Sequence, residues 1–193
     1  MVTFYNKKNS LALLVVLLFL FVSSSYAKFS MMVTKSQIDT ICTIKRINSS
    51  FCFEIFKANP EIARLNYSDL IKFLINYQAQ YISDTLKFFK LSGGSSTDIS
   101  SKYHVCVELY EYDFKERDNS LRYLAAKDYV SLNIWVGGTM TDAETCIDDL
   151  STMKPIPQFF MKRSDTIGDM SSIILVVLEC FLKEKKDRCY LNL

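Results

Sequence analysis

Glycine and proline are scarce in this chain. Among 193 residues there are five glycines and three prolines. Both residue types usually mark turns and interrupt regular structure, so their shortage predicts long helices joined by short connections.

The residue sets that carry catalysis or metal binding are also missing. A serine or cysteine nucleophile usually requires a base, most often histidine. The single histidine, His104, stands two residues before Cys106, so the two side chains point to different parts of a helix. We interpret His104 as a surface residue of a bundle. No C-x-x-C spacing occurs, and one histidine cannot complete a Cys/His metal site. The sequence therefore predicts no catalytic residues, no metal site and no cofactor.

Two segments resemble functional motifs only superficially. Gly93-Gly94 lacks the lysine and the strand–helix context of a phosphate-binding loop, so we interpret it as a linker. The acidic residues Asp142, Glu144, Asp148 and Asp149 suggest paired carboxylates, but a solvated helix face explains them better.

The N-terminus has the pattern of a secretory signal peptide over residues 1–27. Lys7 and Lys8 precede an apolar run of twelve residues, Leu11 to Val22, and Ser25-Tyr26-Ala27 is a small-x-small cleavage pattern. A transmembrane anchor is the alternative, but the run is shorter than the ~20 residues that span a bilayer. We therefore expect a secreted, extracellular protein with no membrane attachment after cleavage.

The formal net charge of +2 comes from this leader. The full sequence has 23 basic and 21 acidic residues, and cleavage after Ala27 removes two lysines and no acid. The mature chain is formally neutral, which argues against a nucleic-acid partner because such partners require a clustered basic face.

Hydrophobic periodicity predicts an all-α protein. A short N-terminal helical hairpin, with its first segment at Lys35–Ile47 and its second ending at Pro60, precedes four long helices. Short links make neighbouring helices antiparallel, which favours an up-down-up-down four-helix bundle. Gly137-Gly138 inside the third long helix indicates either close helix approach or a kink. The predicted long helices are Tyr67–Leu91, Asp98–Ala126, Tyr129–Leu150 and Asp165–Lys183.

Four cysteines lie symmetrically about predicted turns. Cys106 and Cys146 are equidistant from the helix break at Ala126, and Cys42 and Cys52 flank the break at Asn48-Ser49-Ser50. Residues equidistant from the turn of an antiparallel helical hairpin face each other, so we predict disulfides 42–52 and 106–146. The remaining Cys180 and Cys189 form a third pair if the tail folds back; otherwise Cys180 is a buried thiol and Cys189 is free.

Two N-glycosylation sequons lie in predicted turns. Asn48-Ser49-Ser50 and Asn66-Tyr67-Ser68 both avoid helix interiors. The leader makes their use plausible, because a secreted chain passes through the compartment where such sites are modified.

The spacing of several motifs resembles the plant invertase/pectin methylesterase inhibitor family over about residues 33–182. The matching segments are Ile38-x-x-Ile41-Cys42, Cys52, Cys106-x-x-x-Tyr110, Lys127-Asp128-Tyr129-x-Ser131-Leu132-Asn133-Ile134 and Thr145-Cys146-x-Asp148. The resemblance implies an antiparallel four-helix bundle with an N-terminal hairpin and two disulfides. The segment 127–134 is more similar to the pectin methylesterase inhibitor branch. We place the bundle domain at residues 33–183 and a C-terminal tail at 184–193.

The resemblance also implies a function. Members of the pectin methylesterase branch dock across the enzyme's substrate cleft without chemistry of their own, so we expect a stoichiometric, extracellular inhibitor that is a monomer before it binds. An acid invertase is the alternative target. Partner-facing positions carried over from the branch are Glu108, Tyr112, Lys115, Asn133, Thr145 and Asp148.

Several residues depart from the family pattern. Positions 112 and 115 usually carry acids, whereas this chain has Tyr112 and Lys115. A charge reversal on a docking stripe is expected to change the association rate and the choice of partner. Pro157-Gln158-Phe159 lacks the lysine of the Pro-Lys-Phe segment that invertase inhibitors use. These departures leave open a third hypothesis, a secreted bundle that has lost inhibition.

Overall fold

The computed structural model describes residues 32–92 and 103–184. The predicted signal peptide 1–27, the Gly93-Gly94 linker, the helix start at Asp98 and Cys189 lie outside these residues, as does the predicted tail beyond Glu184. Six α-helices and one 3₁₀ turn are described: α1 Lys35–Cys42, α2 Ser49–Ala58, the 3₁₀ turn Pro60–Arg64, α3 Tyr67–Ser92, α4 His104–Ala126, α5 Tyr129–Ser151 and α6 Gln158–Glu184.

The four long helices form the bundle. Helix α3 packs against α4 and α6, and α5 packs against the same two helices, so each long helix has two neighbours. The short hairpin of α1 and α2 joins the bundle through contacts of α1 with α6. The predicted all-α, disulfide-stapled bundle with an N-terminal hairpin is therefore confirmed.

The core has two parts along the bundle axis. One lies between the hairpin, the first half of α3 and the second half of α6, and includes Ile41, Leu70 and Ile174. The other lies at the opposite end, where the Phe89 and Phe160 rings stack with centroids 4.1 Å apart. Burial of such side chains contributes about 1.5–3 kcal/mol each.

The turn between α4 and α5 explains much of the 127–134 motif. Lys127 adopts a left-handed conformation, φ 60°, which ends α4. Asp128 then caps α5, because its carboxylate accepts hydrogen bonds from the Ser131 backbone N–H and hydroxyl at 3.1 and 2.6 Å. The Tyr129 ring packs edge-on against Phe181, 5.4 Å between centroids. These residues shape the turn rather than face a partner.

Both predicted disulfides are present. Cys42 is bonded to Cys52 and Cys106 to Cys146, and all four side chains are fully buried. Cys180 is also disulfide-bonded, and its partner lies outside the described residues. The proposed pairing with Cys189 stays a prediction.

Two helix boundaries were predicted wrongly. Helix α6 begins at Gln158, seven residues before the predicted Asp165. Pro157 accepts the first helical hydrogen bonds there, and the added turns bury Phe160 and Ser164. Helix α1 ends at Cys42 rather than Ile47, because Thr43 and the residues after it form turns that bring Cys42 to Cys52.

Gly137 and Gly138 are not sites of close helix packing. Both lie within the continuous α5, and a Cβ added at either would meet no atom within 4 Å. The close-approach interpretation is therefore wrong.

A buried polar contact ties α3 to α6. The Gln78 amide donates hydrogen bonds to the Ser171 hydroxyl at 2.7 Å and to the Ile167 carbonyl at 3.1 Å. Among the described helices, none is long and apolar enough to cross a membrane.

Candidate docking face

The six positions predicted to face a partner are all exposed. Glu108, Tyr112 and Lys115 lie on α4, one turn apart from one another. On α5, Asn133, Thr145 and Asp148 lie on its solvent side, and the distance along the axis from 133 to 148 is about 22 Å. We call the solvent side of α4 and α5 that carries these six residues the docking face.

The two helices of the docking face are joined at three levels. The Cys106–Cys146 disulfide links them near Glu108 and Thr145. The Thr139 hydroxyl donates a hydrogen bond to Asp113 Oδ1 at 2.9 Å. The only tryptophan, Trp135, contacts the Tyr112 ring, with centroids 5.8 Å apart. The docking face therefore rests on a braced pair of helices, and such preorganisation reduces the entropy lost on binding.

An acidic pair, the buried Asp113 and the partly buried Asp142, lies between the two helices of the docking face. Asp113 is 9% exposed, and burial raises the pKa of its carboxyl to about 7; the adjacent Asp142 carboxylate adds to this, while the Thr139 hydrogen bond opposes it. Burial also raises the pKa of Asp142, and the neighbouring Asp113 acts in the opposite direction. The interpretation of Asp142 as one of four solvated acids is therefore wrong, because its partner comes from the neighbouring helix.

Sequence reasoning missed an apolar part of the docking face. Val130 is 73% exposed and Ile134 66% exposed, and they lie one turn apart on the solvent side of α5. The helix period contained the signal, since Leu132 and Val136, also one turn apart, are buried and fix the inward side. Exposed apolar side chains beside Asn133 are typical of surfaces that bind another protein.

Open grooves border the docking face on both sides. Lys115 lies at the edge of a groove of about 260 Å³ between α3 and α4, which also contains Lys90, Glu111 and Phe114. Asn133 lies at the edge of a groove of about 280 Å³ between α5 and α6, beside Met140. Both grooves are open to solvent, so the face presents a ridge with recessed sides rather than a pocket for a small molecule.

His104 is exposed, with Nε2 3.2 Å from Glu108, in agreement with its interpretation as a surface histidine. Within residues 32–92 and 103–184, no group of three or more His, Cys, Asp or Glu side chains could hold a metal ion.

A family model described as "Plant invertase/pectin methylesterase inhibitor" matches residues 36–177. The chain belongs to this family. The resemblance predicted from the cysteine spacing and the 127–134 motif is confirmed, and the family is one of enzyme inhibitors.

Individual relatives agree with this assignment. Pectinesterase inhibitor 1 of Arabidopsis thaliana is 28% identical over 174 residues, which cover 89% of this chain and 94% of that protein. The crystal structure of a mutant form of a pectin methylesterase inhibitor from Arabidopsis has a TM-score of 0.65 at 26% identity, covering 74% of this chain and 95% of that one. A second crystal structure of a pectin methylesterase inhibitor from Arabidopsis thaliana has a TM-score of 0.55 at 28% identity, with the same coverage.

Tyr112 and Lys115, the two residues of α4 for which we expected acids, have different surroundings. Tyr112 stands at the boundary with α5, where its ring contacts Trp135, and it is 49% exposed. Lys115 lies one turn further along, at the α3 side, in a groove with Glu111, and its charge adds to the Lys90 hydrogen bond in lowering the pKa of that carboxyl. Tyr112 therefore combines a packing role with exposure, whereas Lys115 presents an exposed positive charge.

Both sequon asparagines cap helices. Asn48 is exposed and caps α2, and its Nδ2 donates to Asp169 at 2.7 Å. Asn66 is partly buried and accepts a hydrogen bond from the Asp69 N–H at 2.9 Å, while its Nδ2 donates to the Asp69 carboxylate at 2.7 Å. A glycan would be attached at nitrogens that already make these contacts, so glycosylation at either site stays a prediction.

Proposed function

We propose that this protein is a secreted inhibitor of pectin methylesterase that binds the enzyme through its docking face and blocks the substrate cleft in a stoichiometric complex. The observation that carries the proposal is the common exposure of Glu108, Tyr112, Lys115, Asn133, Thr145 and Asp148 on one braced helix pair. The signal peptide 1–27 directs the chain to the cell wall space, where it is a monomeric bundle of residues 33–183 until it meets the enzyme.

The binding mode follows from the composition of the docking face. Val130 and Ile134 supply apolar area at one end, and Glu108 and Asp148 supply negative charge at the other. The charges act mainly on association rate and orientation, while the desolvated apolar and aromatic contacts supply most of the affinity. Inhibition is therefore expected to resist moderate salt.

The test is titration of the disulfide-intact protein against purified pectin methylesterase, with acid invertase assayed in parallel. We expect full loss of pectin de-esterification at a 1:1 ratio and a 1:1 complex on size-exclusion chromatography. Thr145→Arg, on the docking face beside the Cys106–Cys146 disulfide, should weaken inhibition at least tenfold. Lys72→Glu, an exposed substitution on α3, is the matched control and should leave it unchanged. Equal effects of the two substitutions would contradict docking through α4 and α5.

An acid invertase is the second candidate target, and one local feature favours it. Phe159 follows Pro157 at the start of α6 and is 53% exposed. The Arg163 guanidinium lies 5.7 Å from its ring, so a cation stands beside this aromatic although Gln158 replaces the lysine of the invertase-inhibitor segment. Loss of sucrose hydrolysis on adding the protein, abolished by Phe159→Ala and not by Thr145→Arg, would establish this target.

The third hypothesis, a bundle that has lost inhibition, is tested with the same assays. If the natural protein inhibits neither enzyme, Tyr112→Asp combined with Lys115→Asp restores the acids usual at these two positions. Inhibition of pectin methylesterase by this double variant would indicate a diverged inhibitor.

A further inference from the structure

We call the contact between α4 and α5 around Asp113 and Thr139 the seam. One carboxyl oxygen in this seam has no hydrogen-bond donor in the described part of the chain. Asp113 Oδ1 accepts the Thr139 hydrogen bond, but Oδ2 is fully buried and receives no N–H or O–H donor from the described residues. A buried carboxylate oxygen with no donor is costly, and native structures rarely contain one.

Asp142 supplies the missing partner. It lies three residues after Thr139 on α5, on the same side of the helix, and each of the two carboxyl groups affects the pKa of the other. Like charges on two neighbouring carboxylates disfavour ionisation of both, and the burial of Asp113 adds to this effect.

We propose that Asp113 and Asp142 share one proton, so that a carboxylic acid–carboxylate hydrogen bond closes the seam beneath the docking face at acidic pH and is lost as the pH rises. The proton is assigned to Asp113, which is the more buried of the two. Its Oδ2–H donates to the half-exposed Asp142, while its Oδ1 accepts from Thr139. This arrangement satisfies every polar atom of Asp113.

The groups on the neighbouring helices do not supply a compensating positive charge. From α4, Arg117 lines the same small cavity as Asp113, but its buried Nε makes no hydrogen bond with the described residues, lies 3.6 Å from Asp118, and does not contribute to the pKa shift of Asp113. Burial raises the pKa of Tyr110, so that group stays neutral. From α3, Gln78 is neutral, and from α6, Asp165 adds a further negative charge near Tyr110. Loss of the shared proton therefore leaves two negative charges in contact.

The direction of the pH effect follows from linkage. Because the pKa of Asp113 is higher in the folded chain than the ordinary value of 3.8, the folded state binds the proton more strongly than the unfolded state. The stabilisation is complete below pH 3.8 and is lost as the pH rises through about 7. Tyr112 precedes Asp113, and Thr145 follows Asp142 by three residues, so both docking-face residues lie next to the acidic pair. A change in the contact between the two acids therefore changes the geometry of the docking face with pH. This consequence rests on the proposed function.

The experiment compares Asp113→Asn with the natural sequence in the full, disulfide-intact chain. Asparagine donates an N–H to Asp142 and accepts from Thr139, so it mimics the protonated acid at every pH. Urea unfolding is measured from pH 4 to pH 8, and the ratio of the two unfolding constants is plotted against pH, which cancels the titration of other groups. We expect the unfolding constant of the natural protein to rise at least tenfold relative to that of Asp113→Asn between pH 4 and pH 8. Asp39→Asn, an exposed acid on α1, is the matched control and should give a flat ratio.

A direct readout distinguishes the shared proton from a bound water. The small polar cavity beside Asp113, about 20 Å³ and lined also by Arg117, Ser120 and Gln78, has room for one water molecule. In the alternative arrangement Asp113 is ionised at pH 6 and this water donates a hydrogen bond to Oδ2, so that no proton is shared with Asp142. The natural protein and Asp113→Asn should then have the same infrared absorption in the protonated-carboxyl region. The ratio of their unfolding constants should also not change with pH. Either result would overturn the proposal.

The outcome is separable from that of the proposed function. Unfolding and infrared measurements need no enzyme, so failure to inhibit pectin methylesterase at any pH would remove the proposed function alone. Where inhibition is found, we expect it to weaken more for the natural protein than for Asp113→Asn between pH 5 and pH 7.5. An equal loss in the two proteins would overturn regulation of docking by this pair.

Discussion

Replacing Cys106 and Cys146 by alanine removes the cross-link between the two helices of the docking face. The two cysteines are 40 residues apart in sequence. In the chain-entropy model, closing a loop of this size stabilises the fold by about 4 kcal/mol, because the cross-link restricts the unfolded chain. Total stability of a domain is about 5–15 kcal/mol, so the loss is a large part of it.

The second disulfide gives a matched comparison. Cys42 and Cys52 are separated by 10 residues, for which the same model gives about 2.7 kcal/mol. All four cysteines are fully buried, so substitution by alanine leaves similar small voids in both variants. The expected difference of about 1.2 kcal/mol between the two losses in free energy of unfolding is therefore the effect of loop length.

The assay is urea unfolding followed by circular dichroism. With a urea slope of about 2 kcal/mol per molar, removal of 106–146 should lower the midpoint by about 2 M. Removal of 42–52 should lower it by about 1.4 M. A loss for 106–146 equal to or smaller than that for 42–52 would refute the loop-entropy reasoning for this bundle. In conditions where both variants are folded, only loss of 106–146 should weaken inhibition, since it alone lies beside Glu108 and Thr145.

Four further substitutions test the packing. Gly137→Ala and Gly138→Ala should each raise the free energy of unfolding by about 1 kcal/mol, since an added Cβ meets no atom within 4 Å. A lower stability of either variant in thermal denaturation would contradict a regular helix at these positions. Gln78→Ala removes the buried hydrogen bonds to the Ser171 hydroxyl and the Ile167 carbonyl on α6 and should cost about 1–3 kcal/mol in urea unfolding. A change below about 0.5 kcal/mol would contradict its role. Arg163→Met keeps the apolar stem but removes the guanidinium from the Tyr81 ring, 4.2 Å away, and should cost about 1 kcal/mol; no loss in thermal denaturation would show that the contact is not stabilising.

Local patterns predicted well the helices whose ends have strong signals. Helix α3 begins at the predicted Tyr67 after the capping Asn66, and α5 begins at Tyr129 after the capping Asp128. The start of α6 was predicted at Asp165 instead of Gln158, because Phe159-Phe160-Met161 is an apolar run without a clear helical period. Only packing against Phe89 shows that Phe160 faces the core.

The sequence by itself determined the helical class and the pairing of four cysteines, because these depend on periodicity and on symmetry about turns, both of which are local. The family came from the resemblance of its motifs, which the family match over residues 36–177 confirms. The tertiary structure decided what the docking face contains. It brought Trp135 to Tyr112 and Asp142 to Asp113, and it left Val130 and Ile134 on the solvent side. Contacts between residues more than twenty positions apart depend on how α4 and α5 are rotated against each other. That rotation is fixed by the burial of all four long helices together, and no single segment of the sequence encodes it.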